Sequence, residues 1–132
     1  MELMKTLSLF LLMAVVLVGC SKDDDSSDSA SFTGTWKLTA EKYNGMNEVL
    51  DECDLKTTLV IDATTVQVTE YFGENCEETS EYTGNYTRNG NTITLVMFGL
   101  TDTAEITTLT NTTLEITSVD EGDVFVSTYA RQ

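Results

Sequence analysis

Apolar and polar residues alternate with a period of two through most of the chain after residue 32. This pattern is typical of strands that bury one face. No stretch shows the spacing of a capped amphipathic helix. Twenty-two threonines lie in this part of the chain, and threonine fits a pleated, half-buried surface. The pattern predicts eight strands, at residues 35–43, 55–62, 65–72, 81–88, 92–98, 103–108, 113–119 and 123–131.

The predicted strands are joined mostly by short turns, which make neighbouring strands antiparallel. Asn89-Gly90 is the strongest turn signal, because both central positions of a type I′ turn require a positive φ. Eight sequential antiparallel strands with one apolar face close most simply into an up-and-down barrel. We therefore predict an all-β, eight-stranded antiparallel up-and-down barrel over residues 32–132. For the last strand two inward faces stay open, one with Val124, Val126 and Ala130, the other with Phe125 and Tyr129.

Residues 1–19 are expected to be a lipoprotein signal peptide rather than part of the fold. Lys5 precedes an apolar run, Leu7 to Val18, that is too short to cross a bilayer. The run ends in Leu-Val-Gly-Cys, which resembles the bacterial lipobox. This resemblance implies that Cys20 becomes the N-terminus and carries acyl chains, palmitate among them. Several such chains give stable attachment to a membrane.

Residues 20–31 follow as a short acidic segment without large apolar side chains, which predicts a flexible tether. Its start, Cys-Ser-Lys-Asp-Asp-Asp, resembles the export signal of surface lipoproteins in the Bacteroidota. The resemblance implies an outer-membrane lipoprotein that faces the cell exterior. The alternative is a plain acidic linker at the inner leaflet.

Two further cysteines, Cys53 and Cys76, remain after Cys20 is assigned to the lipid. An even pair in an exported chain favours a disulfide, and two free thiols are the alternative. Cys53 lies just before the second predicted strand and Cys76 just after the third. These positions fall nearly opposite each other at the open end of a hairpin.

The charge balance excludes several classes of function. The chain carries 22 acidic and 7 basic side chains, a net charge of −15, which argues against nucleic acid as a partner. The absence of histidine removes the commonest general base and most zinc sites. The acidic residues around Cys76 show no spacing that separates a catalytic pair from a solvated loop. We expect no enzyme activity, no catalytic residues, no metal and no cofactor, and we expect a monomeric domain.

The first strand contains Gly34-Thr35-Trp36, which resembles the Gly-x-Trp motif of lipocalins. The order of motifs along the chain is more specifically similar to the lipocalin-like lipoproteins of the Bacteroidota. The resemblance implies a lipocalin-like barrel in which Gly34 and Trp36 form the base. It also implies an arginine over the tryptophan, for which Arg131 is the first candidate and Arg88 the alternative.

Two functions are compatible with such a barrel. The first is a non-catalytic binding module for a small hydrophobic or amphipathic ligand at the barrel mouth. The alternative is an acidic protein-interaction or inhibitor module that acts on a basic partner at the cell surface. Candidate lid residues in the first long connection are Met46, Val49 and Leu50. Candidate cavity residues are Trp36, Leu38, Leu59, Val68, Phe72, Tyr82, Tyr86, Leu95, Met97, Ile106 and Ile116.

Overall fold

The structure is a computed structural model that describes residues 30–132, so the signal peptide and Cys20 lie outside the described residues. Within this range it contains nine strands and one short 3₁₀ helix, Asp54–Lys56. The strands are β1 (Gly34–Tyr43), β2 (Met46–Asn47), β3 (Thr58–Ile61), β4 (Thr65–Phe72), β5 (Glu78–Asn89), β6 (Thr92–Met97), β7 (Leu100–Leu109), β8 (Thr113–Asp120) and β9 (Asp123–Arg131).

Eight of these strands form a closed antiparallel barrel. Strands β3 to β9 pair in chain order, β1 pairs with β3, and β9 returns to pair with β1. Strand β2 only extends a hairpin at the end of β1. The predicted all-β, eight-stranded up-and-down barrel is therefore confirmed. No helix within residues 30–132 is long and apolar enough to span a bilayer.

The second predicted strand begins three residues later than expected. Asp51 and Asp54 bond to each other's backbone, with N···O distances of 3.0 and 2.8 Å, and this reciprocal pair stabilises the 3₁₀ turn in place of a strand. The β6–β7 connection also differs, because the turn is Phe98-Gly99 rather than a loop that reaches Asp102. Both turn residues have positive φ, 54° and 75°, as a two-residue hairpin of type I′ requires.

The hydrophobic core fills one end of the barrel, which we call the base. Trp36 and Leu114 are fully buried there. The Trp36 indole N–H donates to the Phe32 carbonyl over 3.1 Å, and the Tyr86 hydroxyl donates to the Asp62 carbonyl over 2.6 Å. Both polar groups are thus satisfied inside an apolar environment, where an unpaired group is costly. The buried cluster comprises Phe32, Trp36, Leu59, Ile61, Val66, Tyr86, Ile93, Ile106 and Leu114.

Arg131 covers this core from outside. Its guanidinium carbon lies 4.1 Å from the centre of a Trp36 ring, in cation–π contact. Its nitrogens donate to the carbonyls of Thr33 at 3.0 Å, Asn111 at 2.8 Å and Ser31. Arg88 lies over the ring of Phe32 instead, at 5.5 Å.

A bulge in β1 changes which residues face the lumen. Leu38 pairs with Tyr129, but after the irregularity Ala40 pairs with Thr128 and Glu41 with Ser127. Since alternate residues of β9 share a face, Glu41 lies on the inner side with Leu38 and Tyr129. Period-two alternation along the first strand predicts that Trp36, Leu38 and Ala40 share the inner face. For Ala40 this prediction is wrong, because the bulge turns it outward and exposes it. The sequence did not decide which face of the last strand points inward. In the structure the inward face of β9 carries Phe125, Ser127 and Tyr129.

The Cys53–Cys76 disulfide is present, with the two Cα atoms 5.2 Å apart. Cys53 lies just before the 3₁₀ helix, and Cys76 lies in the connection between β4 and β5. The bridge therefore ties together two connections at the end opposite the base. We call this end the mouth. It also carries the Phe98-Gly99 and Glu121-Gly122 turns.

We predict that Gly34→Ala destabilises the fold through Arg131. Gly34 has a φ of 140°, and a Cβ there comes within 2.5 Å of the Arg131 guanidinium. The arginine must then move and weaken its contacts with Thr33 and Trp36, which costs about 1–2 kcal/mol. The matched control is Gly45→Ala, which also has a positive φ but open space around it. Urea unfolding followed by the fluorescence of Trp36, the single tryptophan, measures both. Equal losses in the two variants contradict the role of Arg131.

Candidate functional site

A cavity of about 620 Å³ opens at the mouth of the barrel. It lies between β1, β3, β4, β5 and β9 and the connection from β2 to β3, which passes over it. The volume falls in the range of about 300–1,000 Å³ that is usual for small-molecule sites.

The floor of this mouth cavity is apolar. Leu38, Leu59 and Val68 line it from three adjacent strands. Leu59 pairs directly with Val68, and Leu38 lies two residues along β1 from Trp36, the partner of Leu59. Leu59 also belongs to the buried core, so the floor is continuous with the packed base. An apolar group that enters the mouth can therefore be removed from water against a rigid surface.

The upper wall is acidic. Glu41, Glu48, Asp54 and Glu70 line the cavity, and within residues 30–132 no lysine or arginine lines it with them. Burial is the main cause that raises the pKa of Glu41 above its ordinary value of 4.5, and the charges of Asp54, Glu48 and Glu70 act in the same direction. Glu41 is thus held in a partly desolvated position near other negative charges.

Two tyrosines complete the wall. The Tyr82 hydroxyl donates to a carboxylate oxygen of Glu70, and burial together with this bond raises the pKa of Tyr82 above its ordinary value. Burial is also the main cause that raises the pKa of Tyr129 to about 12. Both hydroxyls stay protonated at neutral pH. Glu70 already accepts the Tyr82 proton, so Tyr82 can only accept from a ligand, whereas the Tyr129 hydroxyl has a proton to donate as well.

Tyr129 also borders a second cavity in the lumen. This cavity measures about 530 Å³ and lies towards β6, β7 and β8, where Leu95, Ile116 and Ser127 contribute to its lining. The lumen therefore contains two cavities, and Tyr129 lines both of them.

The mouth is surrounded by apolar side chains that face solvent. Ten large hydrophobic residues in residues 30–132 are exposed, and all ten lie near or beyond the mouth ends of the strands. Val49 and Phe98 are the most exposed, at 97% and 78%. Exposed apolar groups that collect at one end of a soluble domain mark an interaction surface. The ten are Tyr43, Met46, Val49, Leu55, Phe72, Val96, Phe98, Leu100, Val119 and Phe125.

The residues predicted for the cavity divide between the mouth and the base. The mouth cavity is lined by Leu38, Leu59, Val68, Phe72 and Tyr82, and the second cavity by Leu95 and Ile116. Trp36, Tyr86 and Ile106 instead pack in the core at the base. Met97 is half-buried, and its methyl carbon lies near Gly84.

Two of the three candidate lid residues, Val49 and Leu50, lie in the connection from β2 to β3. Val49 and Leu50 line the cavity, whereas Met46 stands on β2, is 73% exposed and does not line it.

Sequence reasoning did not select seven of the residues that line the cavity, namely Glu41, Glu48, Asp54, Thr57, Glu70, Tyr71 and Tyr129. Glu41 was hidden by the bulge in β1, because simple alternation assigns it to the outer face. Glu70 could have been found, since it follows Val66 and Val68 on the same face of β4. Tyr129 was on one of the two faces left open for β9. Among the described residues, no cluster of three histidine, cysteine or carboxylate side chains is arranged to hold a metal ion.

A closed eight-stranded antiparallel barrel with a cavity at one end is generally a binding fold rather than a catalytic one. The chain belongs to a family of this kind, the lipocalin-like domain family, whose model matches residues 32–116. No curated protein matches the chain.

Two solved structures resemble the fold, each with a TM-score of 0.58. One is a lipocalin-like protein from Bacteroides uniformis, 16% identical, in a match that covers 76% of this chain and 97% of that one. The other is an uncharacterized protein from Bacteroides eggerthii, 11% identical, with 77% and 100% covered. At these identities the likeness supports the fold alone.

We predict that Glu41→Gln stabilises the protein at neutral pH. A carboxyl whose pKa is raised in the folded state favours unfolding once it is ionised, so Glu41 costs stability above its folded pKa. Below 4.5 the group is neutral in both states and the cost disappears. Thermal unfolding should therefore show a Tm gain of a few degrees at pH 7 that vanishes near pH 4. Glu105→Gln, on the exposed outer face of β7, is the control. An equal gain in the control contradicts the burial argument.

Proposed function

We propose that this protein is a non-catalytic binding module that takes a small amphipathic ligand into the mouth cavity. The single observation that carries the proposal is the 620 Å³ cavity with an apolar floor and a polar upper wall. The floor of Leu38, Leu59 and Val68 suits an aliphatic or aromatic group. The wall of carboxylates and tyrosine hydroxyls suits a polar head at the level of solvent.

The packed base supports a rigid site. Burial of the large aromatic residues there fixes the strands that carry the floor, so ligand entry requires little rearrangement below the mouth. The disulfide limits the movement of the connection above the cavity, because Cys53 lies four residues after the cavity-lining Val49. Such preorganisation reduces the entropy that binding costs.

We predict that Val68→Phe blocks ligand uptake. The larger ring occupies the floor, whereas the control Val60→Phe adds the same ring on the outer face of β3. The protein that begins at residue 21 contains every strand of the barrel and is suitable for the assay. Uptake is measured by Nile red fluorescence and its displacement by decanol, with Tm recorded for both variants. We expect at least a tenfold weaker affinity in Val68→Phe and an unchanged affinity in Val60→Phe. Equal affinities in the two variants place binding outside the cavity.

We further propose that Cys20 is lipidated and that the protein is attached to the outer membrane, facing the cell exterior. The lipobox-like sequence before Cys20 and the acidic run after it support this proposal. The cystine in the folded domain is also consistent with an exported chain, since disulfides persist in oxidising compartments.

The anchoring proposal makes two separable predictions in a bacterium of the Bacteroidota. Cys20→Ser should abolish incorporation of a labelled palmitate analogue and release the protein from the membrane fraction. Replacement of Asp23, Asp24 and Asp25 by alanine should keep the label but remove the protein from the cell surface, as measured by protease accessibility in intact cells. Label on Cys20→Ser contradicts lipidation. Surface exposure without the three aspartates contradicts the export signal.

A second candidate function is capture of a basic protein at the same end. The exposed apolar residues around the mouth favour it, because they adjoin a strongly acidic surface on which a basic partner gains both charge attraction and apolar burial. Such a complex should weaken steeply with salt and should survive Val68→Phe, whereas uptake of a small ligand should not survive it.

A further inference from the structure

The bulge in β1 decides the sign of the charge inside the mouth. Continued alternation from Trp36 and Leu38 puts Lys42 in the lumen. The extra residue between Leu38 and Ala40 instead turns Glu41 inward and leaves Lys42 paired with the outer-facing Val126. A bulge that re-aims one side chain is a common device beside functional sites. Here it places a carboxylate between the apolar floor and the opening.

The four carboxylates of the cavity come from three separate parts of the chain. Glu41 lies on β1, Glu70 on β4, and Glu48 and Asp54 on the connection that crosses the mouth. Like charges that converge on one partly enclosed space repel one another. Among the described residues no basic side chain lines this cavity, and Lys42 borders Glu41 and Glu48 only in an adjoining depression. A cation that enters with the ligand gains attraction from all four.

Glu41 and Glu70 are not equivalent. Glu70 accepts a hydrogen bond from the Tyr82 hydroxyl, which uses part of its accepting capacity. Glu41 lies in the same cavity as the other carboxylates and Tyr129, and no side-chain hydrogen bond to Glu41 forms among the described residues. A carboxylate accepts up to four hydrogen bonds, so Glu41 keeps its accepting capacity for an ammonium donor.

From this arrangement we infer that the mouth cavity selects amphiphiles that carry a protonated amine, with the alkyl or aryl part on the floor of Leu38, Leu59 and Val68 and the ammonium group against Glu41. The inference rests on the proposed function, because it specifies the ligand class of the same cavity. The cavity and its apolar floor define where the ligand lies, and the carboxylates define which head group is preferred. Glu70 and Tyr82, held to each other, form the opposite part of the polar wall.

The test compares ligands of one chain length and different head groups. Decylamine, decanol and decanoate compete with Nile red at pH 7, each below its micelle-forming concentration, on the oxidised protein that begins at residue 21. Butylamine carries the same ammonium group on a short chain, so its affinity measures the contribution of the charge alone. The same series is measured on Glu41→Gln and on Glu105→Gln, which removes an equal charge from the outer face.

We expect decylamine to bind about tenfold more tightly than decanol, and decanoate and butylamine to bind more weakly than either. Glu41→Gln should reduce the preference for decylamine over decanol to near unity, while Glu105→Gln keeps it. Raised salt should weaken decylamine and leave decanol unchanged.

Each other outcome has a distinct meaning. Equal binding of decylamine and decanol to the unmodified protein overturns the inference but leaves the binding function intact. An equal loss of preference in both glutamine variants overturns the role of Glu41 and assigns the preference to overall charge. Butylamine as tight as decylamine overturns the use of the apolar floor. Failure of every compound, decanol included, overturns the proposed function itself.

Discussion

The contact between Arg131 and Trp36 is the constraint on which the rest of the barrel depends. It joins the first strand of the barrel to the last, at the point where an open sheet becomes a closed one. The arginine is held by carbonyls from the segment before β1 and from the turn before β8. A single side chain thus connects three parts of the chain over the buried indole. The base is closed by these contacts and contains the apolar core. The mouth is open and carries the polar groups of the cavity.

The bulge in β1 is the second determinant of the site. In a strand, a shift of one residue exchanges the two faces, so an inserted residue changes all later side chains at once. In this barrel the exchange occurs halfway up β1, after Leu38 has been placed in the lumen. The lower lumen keeps the apolar pattern of an ordinary core. The upper lumen receives Glu41, where burial raises the pKa of its carboxyl.

Most of the barrel could be predicted because it depends on local pattern. Period-two alternation located all eight barrel strands, and the even pair of cysteines indicated the disulfide. The predictions of strand bounds and of inward residues failed where a local interaction interrupted the period-two alternation. The mutual bonds of Asp51 and Asp54 favour a 3₁₀ turn over a strand, and the bulge reverses the alternation of β1. Glu41 escaped the sequence analysis because of the bulge, since unbroken alternation places it on the outer face. Alternation correctly predicted that Trp36 faces the inside of the barrel. It could not predict whether such a residue lies in the packed base or beside the mouth cavity, because alternation carries no information about position along the barrel axis.

The described chain enters the fold at the base, where Ala30 lies in a shallow depression with Tyr86 and Arg88. Residue 20 is only ten residues before this point, a span of at most about 35 Å when fully extended. Under the proposed anchoring, the attachment point is therefore at the closed end, and the mouth is the end farthest from it. A tether of this length would leave the mouth and its exposed apolar residues free to face away from the bilayer. Under that proposal, a ligand could reach the cavity from the surrounding medium without passing through the membrane.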